Sequence, residues 1–359
     1  VTPTTKQTQQ TPFPRATRVV EQSIGDICAA AVLHVRHQGE VAYDAAFGTR
    51  LPGGENVSGD SIFDLASITK LYVGTALLVL HDERRIALDD VIVDVIPEFA
   101  GLDQRRQTVT YRHLLTHTSG LPAHVNFRDE LGAGAVIARV CNTPLSAAPG
   151  TQVTYSDLGF MLAGEAVARI AHAPLDDALR QLVLHPLDLA DTCYRPQAAL
   201  VPRIVCTERD DWRKRLLCGD VHDENCWAMG GIAGHAGLFG TARDTARLAE
   251  MYRLGGAVGR HRTLQRPTAN EATREQAVGN DERRGLAWAI KASDRHSSGS
   301  RLSPDSYGHT GYTGTSVWVD PPRALTVVLF TNRVFYGREP EPIRALRAAV
   351  HDAVVEDIG

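Results

Sequence analysis

Residues Ser61–Lys70 read SIFDLASITK, and the last four, Ser67-Ile68-Thr69-Lys70, form the chain's only S-x-x-K. From Ser67 an apolar-periodic run continues to about Asp82 through Leu71, Val73, Leu77, Leu78 and Leu80, which predicts a largely buried helix. Residues three apart share a helical face, so the Lys70 amine can approach the Ser67 hydroxyl. The helix N-terminus carries partial positive charge, and apolar surroundings desolvate. Both disfavour an ammonium and predict a lowered Lys70 pKa. A neutral amine there can take the serine proton, while backbone N–H groups at the same helix end point at an incoming oxyanion. The same residues also suit a helix N-cap serine beside a snorkelling lysine, so the motif needs company before it carries chemistry.

Outward from this segment, both chain ends read as strands. Cys28–Arg36 (CAAAVLHVR) and Glu40–Phe47 flank a turn at His37-Gln38-Gly39, and a helix over about Ala16–Ile24 precedes them. Thr315–Val319 and Leu325–Thr331 are rich in β-branched residues, with Asp320-Pro321-Pro322 between them, and a last helix spans roughly Glu341–Val355. The middle reads as helices: Thr110–Thr116, Leu131–Val140 and Asp157–Ala171. Residues 200–240 are loop-rich. Gly230, Gly231, Gly234, Gly237 and Gly240 predict tight turns or close backbone approach. Thr241 offers an N-cap, with Asp244 three residues on, for a helix that stops at Gly255-Gly256. The pattern predicts an α/β (α+β) protein, one sheet built from both termini with a mostly helical region inserted. The expected sheet domain is 17–75 with 255–359, the helical domain is 76–254, and the Thr/Gln/Pro-rich residues 1–16 form a flexible leader.

Several chemistries are missing. No serine sits in G-x-S-x-G, no lysine follows a glycine as in a P-loop, and neither G-x-G-x-x-G nor H-E-x-x-H occurs. The nearest metal-like cluster is Cys218, His222 and Cys226, with His235 further on. Its four-residue steps need a helix, whereas Gly219-Asp220 and the polar run Asp223-Glu224-Asn225 predict a loop. No metal is therefore expected.

Other stretches fall in a telling order. Thr110–Pro122 reads TYRHLLTHTSGLP, Pro149–Gly159 reads PGTQVTYSDLG, and Gly308–Thr315 reads GHTGYTGT. With SIFDLASITK they resemble the serine β-lactamase and penicillin-binding protein superfamily, in its class C-like branch of esterases and D-amino-acid peptidases. Asp320-Pro321, Thr331-Asn332-Arg333 and Gly219–Gly240 share the resemblance, which covers about residues 25–355. It implies a β-lactamase/transpeptidase-like fold, an antiparallel sheet flanked by helices with an inserted helical domain and the site in the cleft. It also implies acyl transfer to Ser67 with no cofactor. Lys70 would orient and deprotonate Ser67, and Tyr155 would pass protons between nucleophile, leaving group and water. The Ser67 and Tyr312 N–H groups would form the oxyanion hole, the latter following Gly311.

Two departures bear on substrate. Asp157 stands where the family's Y-x-N element has Asn, and an ionised carboxylate only accepts hydrogen bonds. It would also stabilise an ammonium at Lys70, against the neutral-amine role. His309, opening His309-Thr310-Gly311, stands where β-lactamases carry lysine, and its charge is lost above an ordinary pKa near ~6.5. Together they point to esters or D-amino-acid-type amides and peptides, with weak or no β-lactamase activity. A true class C-like β-lactamase and a slowly acylating peptidoglycan-binding sensor remain the alternatives. His222, Asp223, Glu224 and His235 are candidates for the rim of the site. His113 and His117 are expected to pack or cap.

Composition narrows the partners. Net charge is −4, which gives no reason to expect nucleic acid. No apolar run is long enough to span a membrane. The resemblance implies a small ester, amide or peptidoglycan-like substrate as the partner. Six cysteines without a C-x-x-C are expected to be unpaired and lean toward a reducing compartment, although the resembled family works largely outside the cytoplasm. Of 38 basic residues only Lys6, Lys70, Lys214 and Lys291 are lysine. Arginine cannot give up its proton near neutral pH, so Lys70 has a chemical reason to be an amine.

Overall fold

A computed structural model describes residues 12–279, 281–294 and 297–359. Its central sheet joins the two ends of the chain. Strand β1 (Ala30–His37) pairs with β2 (Glu40–Gly48) through the two-residue loop Gln38-Gly39. Both loop residues have positive φ, 55° and 89°, which matches the right-handed twist of a tight hairpin. The C-terminal strands are β3 (Ala277–Val278), β4 (Arg283–Arg284), β5 (Ala289–Ile290), β6 (Tyr307–Thr310), β7 (Ser316–Asp320) and β8 (Leu325–Thr331). Together they make an antiparallel eight-stranded sheet in the order β3-β4-β5-β6-β7-β8-β1-β2. The hairpin read at 315–331 is thus β7–β8, and β8 lies against β1.

Both faces of the sheet are covered, which is why β8 is buried at every position. Its Leu325, Val327 and Leu329 share a core with Leu33, Val35, Phe13, Val20 and Val350. That core lies under helix α1 (Pro14–Ser23) and the C-terminal helix, which pack on each other. Val328 and Phe330 alternate to the opposite face and join the larger core. That core holds α2 (Thr69–Asp82), α3 (Asp157–Ala171) and α4 (Ala242–Arg253). The C-terminal helix is α5 (Pro340–Ile358).

The expected antiparallel sheet with flanking helices is present. Helix α4, which the sequence reading groups with the middle of the chain, lies against β1, β7 and β8. Of the expected leader, residues 1–11 lie outside the described residues. Phe13 is buried against Tyr43, and α1 starts at Pro14, so the chain docks before residue 16. A leading apolar side chain with Pro at the first helical turn is a helix start, not a coil. Asp223-Glu224-Asn225 is also not a loop. Asp223 caps a short helix, Glu224–Ala228, by accepting from the Cys226 N–H.

The cysteines depart further from expectation. Cys206 and Cys218 form a disulfide, while Cys28, Cys141, Cys193 and Cys226 are free. The two sulfurs meet because a small hairpin, Arg209–Asp210 with Arg215–Leu216, folds the intervening chain back on itself. Spacing alone does not show this. The compartment argument from unpaired thiols loses its basis, and Cys218 is not available to a metal. Among the described residues no helix is long and apolar enough to cross a membrane.

Candidate active site

Ser67 sits in a short 3-10 turn, Ala66–Ile68, that runs into α2 at Thr69. The residue before it, Ala66, has φ 46°, a left-handed conformation that costs a non-glycine residue energy. Buried Asp64 holds that turn, its Oδ1 accepting the Ala66 N–H at 2.8 Å and its Oδ2 the His222 N–H at 2.7 Å. The Lys70 ammonium, fully buried one turn along, donates to Ser67 Oγ (2.9 Å), Asp157 Oδ1 (2.8 Å) and the His235 carbonyl (3.1 Å). The predicted approach of amine to hydroxyl is therefore found.

The charge state differs from the expectation drawn from burial alone. Burial pushes the Lys70 pKa down, but the Asp157 carboxylate and the neighbouring Tyr155 outweigh it, so the amine lies above its ordinary value. Asp157 mirrors this. Burial raises its carboxyl, yet the Lys70 charge and a hydrogen bond from His124 hold it well below the usual range. His124 Nδ1 lies 3.6 Å from Asp157 Oδ2, and that contact in turn raises the His124 pKa. The carboxylate that holds Lys70 as an ammonium sits 87 positions away in sequence, beyond the reach of the S-x-x-K pattern.

Tyr155 lies just before α3, which Ser156 caps by accepting the Gly159 N–H. His117 brackets it. The His117 carbonyl accepts the Thr154 N–H, its Nδ1 accepts the Ser156 N–H at 3.0 Å, and its ring lies 4.5 Å from the Tyr155 ring. Burial, reinforced by the nearby cations Arg284 and Lys70, pushes the His117 pKa well below its ordinary value, which suits a ring nitrogen that accepts. His113 caps its short helix through Thr110. Both histidines pack and cap as expected. Lys70 Nζ is 4.8 Å and the Arg284 guanidinium 5.1 Å from the Tyr155 ring centre, a placement of Arg284 that nothing in its local sequence signals.

The far wall is the end of β6. His309 is buried, and its Nδ1 donates to the Thr310 carbonyl at 2.9 Å. Burial first, then Lys70 and Arg284, lower its pKa to about 3, so it is neutral and offers no charge to a substrate carboxylate. After Thr310 the chain turns at Gly311–Thr315, pressed against the turn that carries Ser67. A Cβ on Gly311 would lie 2.6 Å from the Leu65 carbonyl oxygen, which is the physical reason for glycine there. Thr313 Oγ1 donates to the Asp64 carbonyl (2.7 Å) and Thr315 Oγ1 to that of Leu65 (3.1 Å). The Ser67 and Tyr312 N–H groups find no acceptor among the described residues. Ser67, Tyr155, Arg284, His309, Tyr312 and Arg347 line one cleft of about 410 Å³.

The residues read as a rim lie behind the site rather than around it. His235 is buried, supplies its carbonyl to Lys70, and pairs through Nε2 with Asp223 Oδ1 at 2.9 Å. Its loop comes close because Gly234 packs on the α3 backbone at Gly164, where a Cβ on Gly234 would collide with the Phe160 carbonyl. His222 bonds Glu208 through Nε2 and lays its ring 5.7 Å from that of Tyr312. Glu224 reaches Arg338 instead. Thus His222 and His235 are committed to carboxylates and Cys218 to its disulfide.

Comparison with known proteins agrees with this geometry. A family model described as "Beta-lactamase" matches residues 18–352. A protein of Salmonella agona (strain SL483) named "Putative D-alanyl-D-alanine carboxypeptidase" is 32% identical over 303 residues, 76% of this chain and 70% of that one. Among solved structures, EstCE1, described as a hydrolase with promiscuous acyltransferase activity, superposes with a TM-score of 0.76 at 22% identity, over 95% of this chain and 98% of that one. A class C β-lactamase from Rhodobacter sphaeroides has the same TM-score at 17% identity, over 96% and 99%. The chain belongs to the β-lactamase family and is a serine hydrolase.

Proposed function

We propose that Ser67 is acylated by esters or D-amino-acid-type amides and peptides and then freed by water, with weak or no turnover of β-lactams. The contact that carries this reading is Lys70 Nζ on both Ser67 Oγ and Asp157 Oδ1. An ammonium donating to Ser67 Oγ has no lone pair for the serine proton, so the proton passes through Tyr155. Ser67 Oγ bonds to the carbonyl carbon, and its proton moves to Tyr155 Oη. The tyrosine's own proton goes to the departing oxygen or nitrogen. The oxyanion forms at the Ser67 and Tyr312 N–H groups, which have no other acceptor among the described residues. A water then repeats these steps in reverse and restores Ser67.

Neutral His309 and accept-only Asp157 support esters and D-peptides over β-lactams. Positive charge in the cleft comes instead from arginines such as Arg284, Arg333 and Arg344, which suits a carboxylate beyond the leaving atom. The name of the Salmonella relative points the same way. The test is incubation with p-nitrophenyl esters, D-Ala-D-Ala peptides and a fluorescent penicillin, with the adduct mapped by mass spectrometry beside Ser67→Ala. Ester turnover and an adduct on Ser67 are expected. An adduct elsewhere, or no reaction with any of the three, overturns the reading. The fixed Lys70 ammonium favours one second reading, a slowly acylating ligand sensor, which would show one acyl equivalent and no turnover.

A further inference from the structure

The turn that carries the Tyr312 N–H is held from two sides. On the nucleophile side, Thr313 and Thr315 donate to the carbonyls of Asp64 and Leu65. On the other side, Arg347 reaches in from α5. Its Nη2 donates to the Gly311 carbonyl and to the Thr315 carbonyl, both at 2.8 Å. Thr315 O also accepts the Gly311 N–H at 2.7 Å, so one guanidinium closes both ends of a five-residue turn. Arg347 is 7% exposed and has no carboxylate partner among the described residues, and its Nε is buried without an acceptor. Burial and the neighbouring Arg333 push its pKa down, to about 9, so it remains charged at neutral pH. A buried cation is costly unless its charge is answered, and among the described residues the Gly311 and Thr315 carbonyl dipoles answer it.

We propose that Arg347 is a positioning residue for the oxyanion-binding turn: it fixes the Tyr312 N–H through the Gly311 and Thr315 carbonyls, and its unpaired charge favours the negative oxygen formed there. The proposal rests on the Ser67 acyl-transfer reading. Small displacements of a donor aimed at a developing charge cost much more in rate than in ground-state binding.

The experiment compares wild type, Arg347→Met and Arg347→Lys on a p-nitrophenyl ester, and measures inhibition by an aryl boronic acid, whose tetrahedral adduct carries the oxyanion. Methionine keeps bulk without donors, and lysine is a point charge that does not bridge both carbonyls. For each folded variant, kcat should fall about 10–100-fold with KM within about 3-fold, and boronate affinity should fall in step with kcat/KM. Wild-type-like kcat in either folded variant, or lost kcat/KM with unchanged boronate affinity, overturns the proposal. A wild type inert to both ester and boronate would instead sink the Ser67 reading. An active wild type with equally active variants sinks this inference alone.

Discussion

Lys70 Nζ and Asp157 Oδ1 lie 2.8 Å apart, the amine fully buried and the carboxylate 19% exposed. Each ion holds the other charged against the pull of burial. Removing one partner of such a pair leaves the other buried and uncompensated, at a cost of about 3–5 kcal/mol unless it neutralises. That gives the pair a testable hold on both chemistry and stability.

Asp157→Asn removes the group that lifts Lys70. Burial then dominates, the amine pKa falls, and a neutral lysine becomes available as a base near neutral pH. The new amide also donates to a substrate carbonyl, which the carboxylate cannot do. β-Lactam turnover should rise by about 10-fold or more, since each pKa unit is worth about 1.4 kcal/mol. Steady-state kinetics with a chromogenic cephalosporin reads this directly, and unchanged or lower turnover refutes the account.

The same pair predicts how stability varies with acid. Asp157 is depressed in the folded state, so its contribution is complete above the unfolded value of about 3.9 and is lost as pH falls below it. Lys70 is raised, so its contribution is complete below about 10.4 and is lost only as pH climbs past that value. Thermal unfolding from pH 2 to 6 should therefore show the wild-type Tm dropping below about pH 4, with a shallower drop in Asp157→Asn. Parallel curves for the two proteins would mean that the ion pair does not set the acid limb.

His309 leads to a prediction of no effect on the pH profile of the rate and a definite effect on stability. With its pKa lowered to about 3 it is neutral throughout the working range. The pH dependence of kcat/KM between about 5 and 8 should keep its shape in His309→Asn. An inflection near 6 that vanishes in the variant would show a protonated imidazole at work. For stability the sign is that of a depressed base. The buried neutral ring contributes above the unfolded value of about 6.5, and the contribution is lost as pH falls toward 3. His309→Asn should therefore be less sensitive to acid than wild type between about pH 6 and 4.

What the chain reveals on paper divides along sequence distance. The Ser67–Lys70 contact spans three residues and one helical face, so a local pattern finds it. The strands beside the termini are equally legible, because β8 carries only apolar or β-branched side chains and β1 opens on the apolar run Ala30–Leu33, as sheets covered on both faces favour. The charge on Lys70 is legible only through the ordered motifs, which set Asp157 beside it, whereas His124 and the His235 carbonyl arrive from segments that no pattern ties to Lys70. Physical rules apply to both cases alike, but burial is local knowledge and the countercharge is not. Arg347 is hidden for the same reason. It lies on the helix that packs over the sheet's other face, 36 residues beyond the carbonyl it holds. The ordered motifs place Tyr155, His309 and Tyr312 without any distance argument, and the cleft then joins them. Glycines at 230–240 announce close approach, yet what they approach, α3 at Gly164, appears only in three dimensions.

The Cys206–Cys218 disulfide closes a short loop, 12 positions apart, that braces the wall behind Tyr312. Inside the loop Glu208 holds His222 and Arg338, and Arg213 donates to the carbonyls of Val221 and His222, both at 2.6 Å. At its base the Cys206 carbonyl accepts the Asn332 side chain at 2.9 Å, and Asn332 in turn accepts the Ala29 and Ala30 N–H groups. Opening the bond frees a segment anchored to the start of β1 and leaning on the Tyr312 side of the cleft. Chain-entropy reasoning puts the stabilisation from a loop of this length at about 2–3 kcal/mol. Replacing both cysteines by alanine should lower unfolding free energy in urea by that amount. It should also lower kcat/KM for a p-nitrophenyl ester more mildly, by about 3-fold, as His222 loosens against Tyr312. Dithiothreitol should bring the wild-type urea midpoint to that of the double variant and leave the variant's own midpoint unmoved. Cys28, Cys141, Cys193 and Cys226 are free thiols with no disulfide to open, so they do not add to the reductant's effect. A wild-type midpoint indifferent to reductant would show that the loop is held by its ion pairs and not by the disulfide.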